Sequence, residues 1–326
     1  MILVISVYNN IKNERQESDF MGVYLEKTGG DNLPMDWLKE ALSENGGPIE
    51  VERFCDSTGE YQRKYNVYKI SAGEKAYVLK YSDKTETALY RDFLHGKDFV
   101  VPQYYGDTEY DGHVWLLMEY IDGPDLRMFD QEMAVASADT LAQIQNYYWD
   151  CEIQDGRFER YWERINRRAE CLNKEPELAA AYNRFLERQK ECPRTLCNGD
   201  FLQFNGIMHE GRVYMIDWGF GGIMPYALDI ARLIVHGSKI QEDGGFPFYM
   251  NDELRKIFVH AQYEKLIQKP DWDRYIMDIK LAALNEYVEF LEEDLNDPDV
   301  SREEIEGGFY YKRARGLAEV INFCSL

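Results

Sequence analysis

Residues 197–222 read CNGDFLQFNGIMHEGRVYMIDWGFGG, and their polar groups do not fall at helical spacing. Asp200 and Asn205 stand in a loop-like run, a short apolar segment follows, Glu210-Gly211 makes a turn, and the strand VYMI ends at Asp217. Loop, strand, turn and strand thus interrupt flanks that are otherwise helical, and loops set on rigid neighbours are where reactive side chains concentrate.

Outward from this stretch the two halves of the chain differ. From about Ile121 onward QEMAVASADTLAQIQNYYW, RYWERINRRAECL and ELAAAYNRFLERQK carry apolar residues at helical spacing. Before it, IEVERFCD, YNVYKIS and KAYVLKYS are short β-branched and aromatic runs broken by STGE and AGEK, the pattern of an antiparallel meander. FVVPQYYGDTEYDGHVWLLMEYI adds two strands about the turn EYDG, and DGPDL is Gly/Pro punctuation suited to a hinge. DNLPMDWLKEALSENGG reads as a helix with Pro34 in its first turn, and TETALYRDFLHG as a shorter one. The opening MILVISV reads as a strand, followed by a polar segment. The spacing predicts an α+β chain with a β-rich first lobe over residues 1–120 and a helical second lobe over 121–326.

Composition narrows the function classes. Forty-five per cent hydrophobic residues exclude disorder, and the apolar runs fall far short of the ~20 residues a membrane span needs. MILVISV lacks a basic n-region and a cleavage pattern, so a cytoplasmic protein is expected. Six scattered cysteines without a CxxC pair fit reduced thiols. A net charge of −22 repels nucleic acid and anionic membranes and favours cationic small molecules. The five histidines lie apart, without hydrolase or zinc spacing.

Asp200, Asn205 and Asp217 together suit phosphoryl transfer. That chemistry needs magnesium on hard oxygens, which Asn205 and Asp217 can supply, and a carboxylate aimed at the attacking hydroxyl, the place of Asp200. The pattern N-G-D-x4-N followed by D-W-G resembles the protein-kinase-like fold. With MIDWGFGGIMPYALDIARL behind it, the stretch looks like the aminoglycoside phosphotransferase family, whose relatives include choline kinase-like and spore-coat kinase-like proteins.

The resemblance implies a two-lobe kinase that moves the γ-phosphoryl group of ATP or GTP, with Mg2+, to an alcohol group. Asp200 would be the base, Asn205 and Asp217 the metal ligands, and Lys80 the phosphate grip. Glu86 would orient Lys80, with Asp83 and Asp92 as alternatives. Ser57, Thr58 and Gly59 would cover the phosphates unless they form a plain hairpin turn, and Glu119, Tyr120 and Ile121 would meet the base. Asp229 would brace the catalytic loop. Asn198 stands where the family usually has a histidine that props the loop, and an asparagine can donate and accept there too. For the acceptor, Glu286, Glu289 and Glu293 could wall a site for the ammonium groups of an aminoglycoside-type antibiotic. Trp272, Tyr287, Tyr310 or Tyr311 could instead cage a choline-like quaternary ammonium. A non-catalytic nucleotide-binding protein on the same fold is the remaining alternative.

Overall fold

The computed structural model describes residues 23–45, 47–56, 63–152, 156–238 and 248–323. The opening MILVISV and the residues Ser57, Thr58 and Gly59 lie outside them. In chain order the elements are β1 (Val23–Lys27), α1 (Met35–Ala41), β2 (Ile49–Asp56), β3 (Arg63–Ala72), β4 (Lys75–Ser82), α2 (Lys84–Ala88), β5 (Tyr104–Tyr110) and β6 (His113–Glu119). They are followed by α3 (Gln131–Tyr148), α4 (Arg157–Ala169), α5 (Pro176–Gln189), β7 (Arg194–Cys197), β8 (Gly206–His209), β9 (Arg212–Met215) and β10 (Gly222–Pro225). The chain closes with α6 (Ala227–Val235), α7 (Asp252–Lys265), α8 (Trp272–Asn296), α9 (Arg302–Gly307) and α10 (Phe309–Phe323).

Two compact units result. One joins the chain up to Leu126 with Phe204–Phe220; the other joins Arg127–Gln203 with Gly221–Leu326. The segment 204–220 lies inside the helical half of the sequence, yet it belongs by its contacts to the sheet unit.

The first unit is built on an antiparallel six-stranded sheet in the order β1-β2-β3-β4-β6-β5. Strand alternation divides its faces. Tyr68 and Ile70 on β3, Tyr77 and Leu79 on β4, and Trp115 and Leu117 on β6 share one core with Leu38 of α1. The intervening Val78 and Lys80 therefore point to the opposite face, where Val78 pairs with Met118 and Lys80 with Leu116. The turns match the sequence reading: Asp111-Gly112 and Glu210-Gly211 both hold positive φ at their two central residues, the twist that two-residue hairpins favour. β1 is an addition, a paired strand where the sequence reads only as polar. Its edge position explains the weak signal, because among the described residues only one flank is paired and its residues are mostly half-exposed or exposed.

DGPDL also departs from a free hinge. A Cβ at Gly123 would lie 2.0 Å from the Met208 carbonyl oxygen, so only glycine lets the backbone pass β8 this closely. Met208 N–H donates to the Pro124 carbonyl at 2.8 Å, and His209 Nδ1 lies 2.6 Å from the Asp122 carbonyl. The segment is laced to the β8–β9 hairpin.

In the second unit α8 is the central rod, packed by α5, α6 and α10, while α3 pairs with α7. Side-chain oxygens cap three of these helices: Asp130 accepts from Met133 N–H, Asn251 from Leu254 N–H and Asp271 from Arg274 N–H. β7 and β10 form a two-stranded antiparallel ribbon. No helix of the described residues is long and apolar enough to cross a membrane.

Candidate active site

Two groups of the predicted residues gather, one in each unit. In the first, β4 aims Lys80 away from the α1 core, and its ammonium meets two carboxylates, Glu86 Oε1 and Asp217 Oδ1, each at 2.7 Å. Glu86 reaches it because Asp83 caps α2, its carboxylate accepting from Thr85 N–H at 2.7 Å and Glu86 N–H at 2.8 Å. Asp83 is thereby engaged as a cap, and Asp92 pairs with neighbouring Arg91 at 2.8 Å. Ser82 Oγ donates to the second Glu86 oxygen at 2.7 Å and Trp218 N–H to the first at 3.2 Å, which fixes a carboxylate that is only 3% exposed. Burial of the Lys80 ammonium disfavours its charge, but Glu86 and Asp217 outweigh that and hold its pKa above the ordinary lysine value.

Asp217 ends β9's outgoing segment in the left-handed region, φ 57°. Such a conformation is uncommon outside glycine and marks sites where a carboxylate is aimed rather than simply placed. Ile216 N–H donates to the Asn205 carbonyl at 3.0 Å, which brings the Asn205 and Asp217 backbones side by side. An amide oxygen and a carboxylate next to a pocket are the hard donor set that magnesium takes, with phosphate and water completing its shell. Among the described residues no cluster of three or more histidine, cysteine or acidic side chains competes as a metal centre.

The pocket runs along the face of the sheet opposite α1. Val78, Met118, Ile207 and Ile216 give it apolar walls, and Lys80, Asp217, Glu119, Tyr120 and Ile121 line it as well. The N–H groups of Glu119 and Tyr120 are already donated to the Gln103 and Ala76 carbonyls.

In the second unit, Asp200 follows the ribbon strand β7 and is 2% exposed. Gly199 takes φ 77°, and the N–H groups of Asn198 and Gly199 both donate to the Asp229 carboxylate, at 2.6 and 2.9 Å. Burial pushes Asp229 up to about 7, while these two donors favour its ionised form. Asn198 Oδ1 accepts from Asp200 N–H at 3.1 Å, a local turn in which the asparagine supports the loop from within. Asn198→Ala is therefore expected to strand that buried N–H and to lower stability by about 1–3 kcal/mol, read from denaturant midpoints.

Sequence reasoning missed Arg232. Its guanidinium donates to Asp200 Oδ1 from Nε at 3.0 Å and from Nη2 at 2.7 Å, and to Glu286 Oε2 from Nη1 at 2.5 Å. A signal was present: ALDIARLIV is apolar all round except for Asp229 and Arg232, and an arginine in so apolar a helix has to find a carboxylate. The same contacts correct the acidic wall. Glu286 is 5% exposed and bound to Arg232, Glu289 is half-buried and bound to buried Arg168 at 2.9 Å, and Glu293 is exposed. Arginines inside the unit thus neutralise the first two carboxylates. The four aromatic residues do not form one cage either. Trp272 stacks on His260 and Tyr311 bonds Glu175, whereas Tyr287 and Tyr310 sit together near Phe290 and His236.

Comparison with known proteins gives the family and the fold. The APH model, described as phosphotransferase enzyme family, matches residues 63–275, well over half of the chain. Among solved structures, the chain is similar to amicoumacin kinase hAmiN in complex with AMP-PNP, Ca2+ and Ami (12% identity, 88% of this chain and 93% of that one, TM-score 0.51). It is similar also to Plasmodium vivax ethanolamine kinase (10% identity, 93% and 82%, TM-score 0.51). A third likeness is a choline/ethanolamine kinase family protein from Mesorhizobium loti (12% identity, 87% and 94%, TM-score 0.50). No curated protein matches the sequence. At these identities the structures share a fold, the protein-kinase-like α+β arrangement of an antiparallel sheet lobe and a helical lobe. The chain belongs to the phosphotransferase enzyme family, as a small-molecule kinase acting on a hydroxyl acceptor.

Proposed function

We propose that the protein transfers the γ-phosphoryl group of ATP or GTP to a hydroxyl of a cationic small molecule, an aminoglycoside-type antibiotic being the first class to test. The observation that carries the reading is the buried Lys80, held between Glu86 and Asp217 and lining an apolar pocket. A lysine so placed grips nucleotide phosphates, and Glu86 keeps it extended toward them. The purine lies between Val78, Met118, Ile207 and Ile216, and Ile121 N–H, with its neighbours' N–H groups engaged, is the donor for the base.

Asn205 and Asp217 would hold Mg2+, which would supply charge neutralisation at the phosphates. Asp200 accepts the acceptor's hydroxyl proton and orients the oxygen for attack. The cationic acceptor is supported by the net charge of −22, which draws cations to the molecule whatever the local site. Free thiols at all five described cysteines fit a reducing cytoplasm. Antibiotic resistance follows if the acceptor is a drug.

A coupled assay of ATP and GTP consumption with magnesium, across aminoglycosides, other hydroxyl-bearing antibiotics, choline and simple sugars, tests the reading. Acceptor-dependent turnover with a cationic member of the panel is the expected result; turnover only with neutral sugars overturns the cationic acceptor.

A further inference from the structure

The second unit holds a chain of buried polar groups that the proposed reaction does not itself require. Arg232 on α6 places two N–H donors of one planar group on a single oxygen, Asp200 Oδ1, and a third donor on Glu286 Oε2 of α8. Its guanidinium lies 5.6 Å from the centre of the Phe290 ring. Behind Glu286 stands His236, with Nε2 at 3.7 Å from the same carboxylate oxygen and Nδ1 at 3.3 Å from the Tyr310 hydroxyl of α10. Burial opposes the charge of Arg232, but Glu286 and Asp200 raise its pKa above the usual arginine value.

From this geometry we infer that Arg232 is a positioning residue: it fixes the rotation of the Asp200 carboxylate, and Glu286 fixes Arg232. The inference rests on the reading of Asp200 as the base. Two donors from a rigid fork on one oxygen stop the carboxylate from turning, because rotation breaks both bonds together. The carboxylate plane is thus set before any acceptor arrives, and a base held in one orientation avoids the loss that a ~1 Å misplacement brings, about 100-fold in rate. Placing the cation between two carboxylates also balances the charge of a group that is otherwise costly to bury. A brace for folding alone needs a charge match, and lysine would satisfy it; orientation needs the fork.

The test compares Arg232→Lys, Arg232→Ala and Asp200→Ala in the full chain, measuring kcat and KM with magnesium and ATP and the best acceptor of the panel, or with water as acceptor. Thermal midpoints show which variants fold. For Arg232→Lys we expect kcat to fall about 10-fold with KM for ATP unchanged, since the charge stays and the fork is lost. For Arg232→Ala the expected loss is about 100-fold, partly restored by roughly 20 mM guanidinium, a concentration far too low to unfold a domain. Guanidinium is expected to leave Asp200→Ala inactive. A folded Arg232→Lys variant with the wild-type kcat overturns the inference while leaving the functional reading intact. Asp200→Ala at the wild-type rate removes the functional reading and the inference with it.

Discussion

Asp200→Ala is expected to lower kcat for acceptor phosphorylation by about 10²–10⁴-fold, the range that a positioned acid–base group contributes. The nucleotide dissociation constant, measured by calorimetry, should stay within about 2-fold, because the groups proposed to hold nucleotide lie on the other compact unit. The fold should survive. Without Asp200, Arg232 keeps Glu286 as its partner at 2.5 Å, so no buried cation is left alone. Asp200→Asn separates the roles further: an amide keeps the shape and can still accept from Arg232, but it takes no proton. A variant of either kind that phosphorylates the acceptor at the wild-type rate would remove Asp200 from the chemistry.

Lys80→Met is expected to act on two quantities together. It removes the cation between Glu86 and Asp217 and leaves a 3%-exposed carboxylate without its ammonium, a change that costs about 3–5 kcal/mol when a buried pair is broken. Nucleotide affinity should fall at least about 100-fold through loss of the phosphate grip. The double substitution Lys80→Met with Glu86→Gln distinguishes the two effects. It removes the stranded charge, so stability is expected to recover in large part while nucleotide binding stays lost. Should the single variant bind nucleotide as tightly as the wild type, Lys80 does not grip phosphates.

Most of the fold was written in local patterns. The meander showed as β-branched and aromatic runs such as KAYVLKYS, and two hairpins showed through Asp111-Gly112 and Glu210-Gly211. The family resemblance rested on the D-x4-N loop and the strand ending in Asp217, which the family match over residues 63–275 supports. What escaped depends on long-range pairing. Nothing in Val23–Lys27 announces a partner, and nothing in DGPDL shows that Gly123 will be pressed against a backbone 85 residues further on. Arg232 stands out in an apolar helix, but which carboxylates it meets shows only when Asp200 and Glu286 converge on it from separate elements. The acidic face of α8 was visible as a pattern, but not that Arg168 and Arg232 neutralise two of its members.

The assignment of Phe204–Phe220 to the sheet unit bears on how the protein is made. A ribosome releases the six-stranded sheet long before Ile207, Ile216 and Asp217, yet those three residues complete the lining of the apolar pocket. The sheet can pair early as its strands emerge, but the pocket wall has to wait for about another eighty residues of synthesis, so the nascent first unit exposes its apolar face in the meantime. A fragment cut at Leu126 would carry Lys80 and Glu86 without the aspartate that answers them. Circularly permuted chains that bring 204–220 next to the sheet in sequence would shorten that interval, and with it the period in which the unfinished face is open to aggregation.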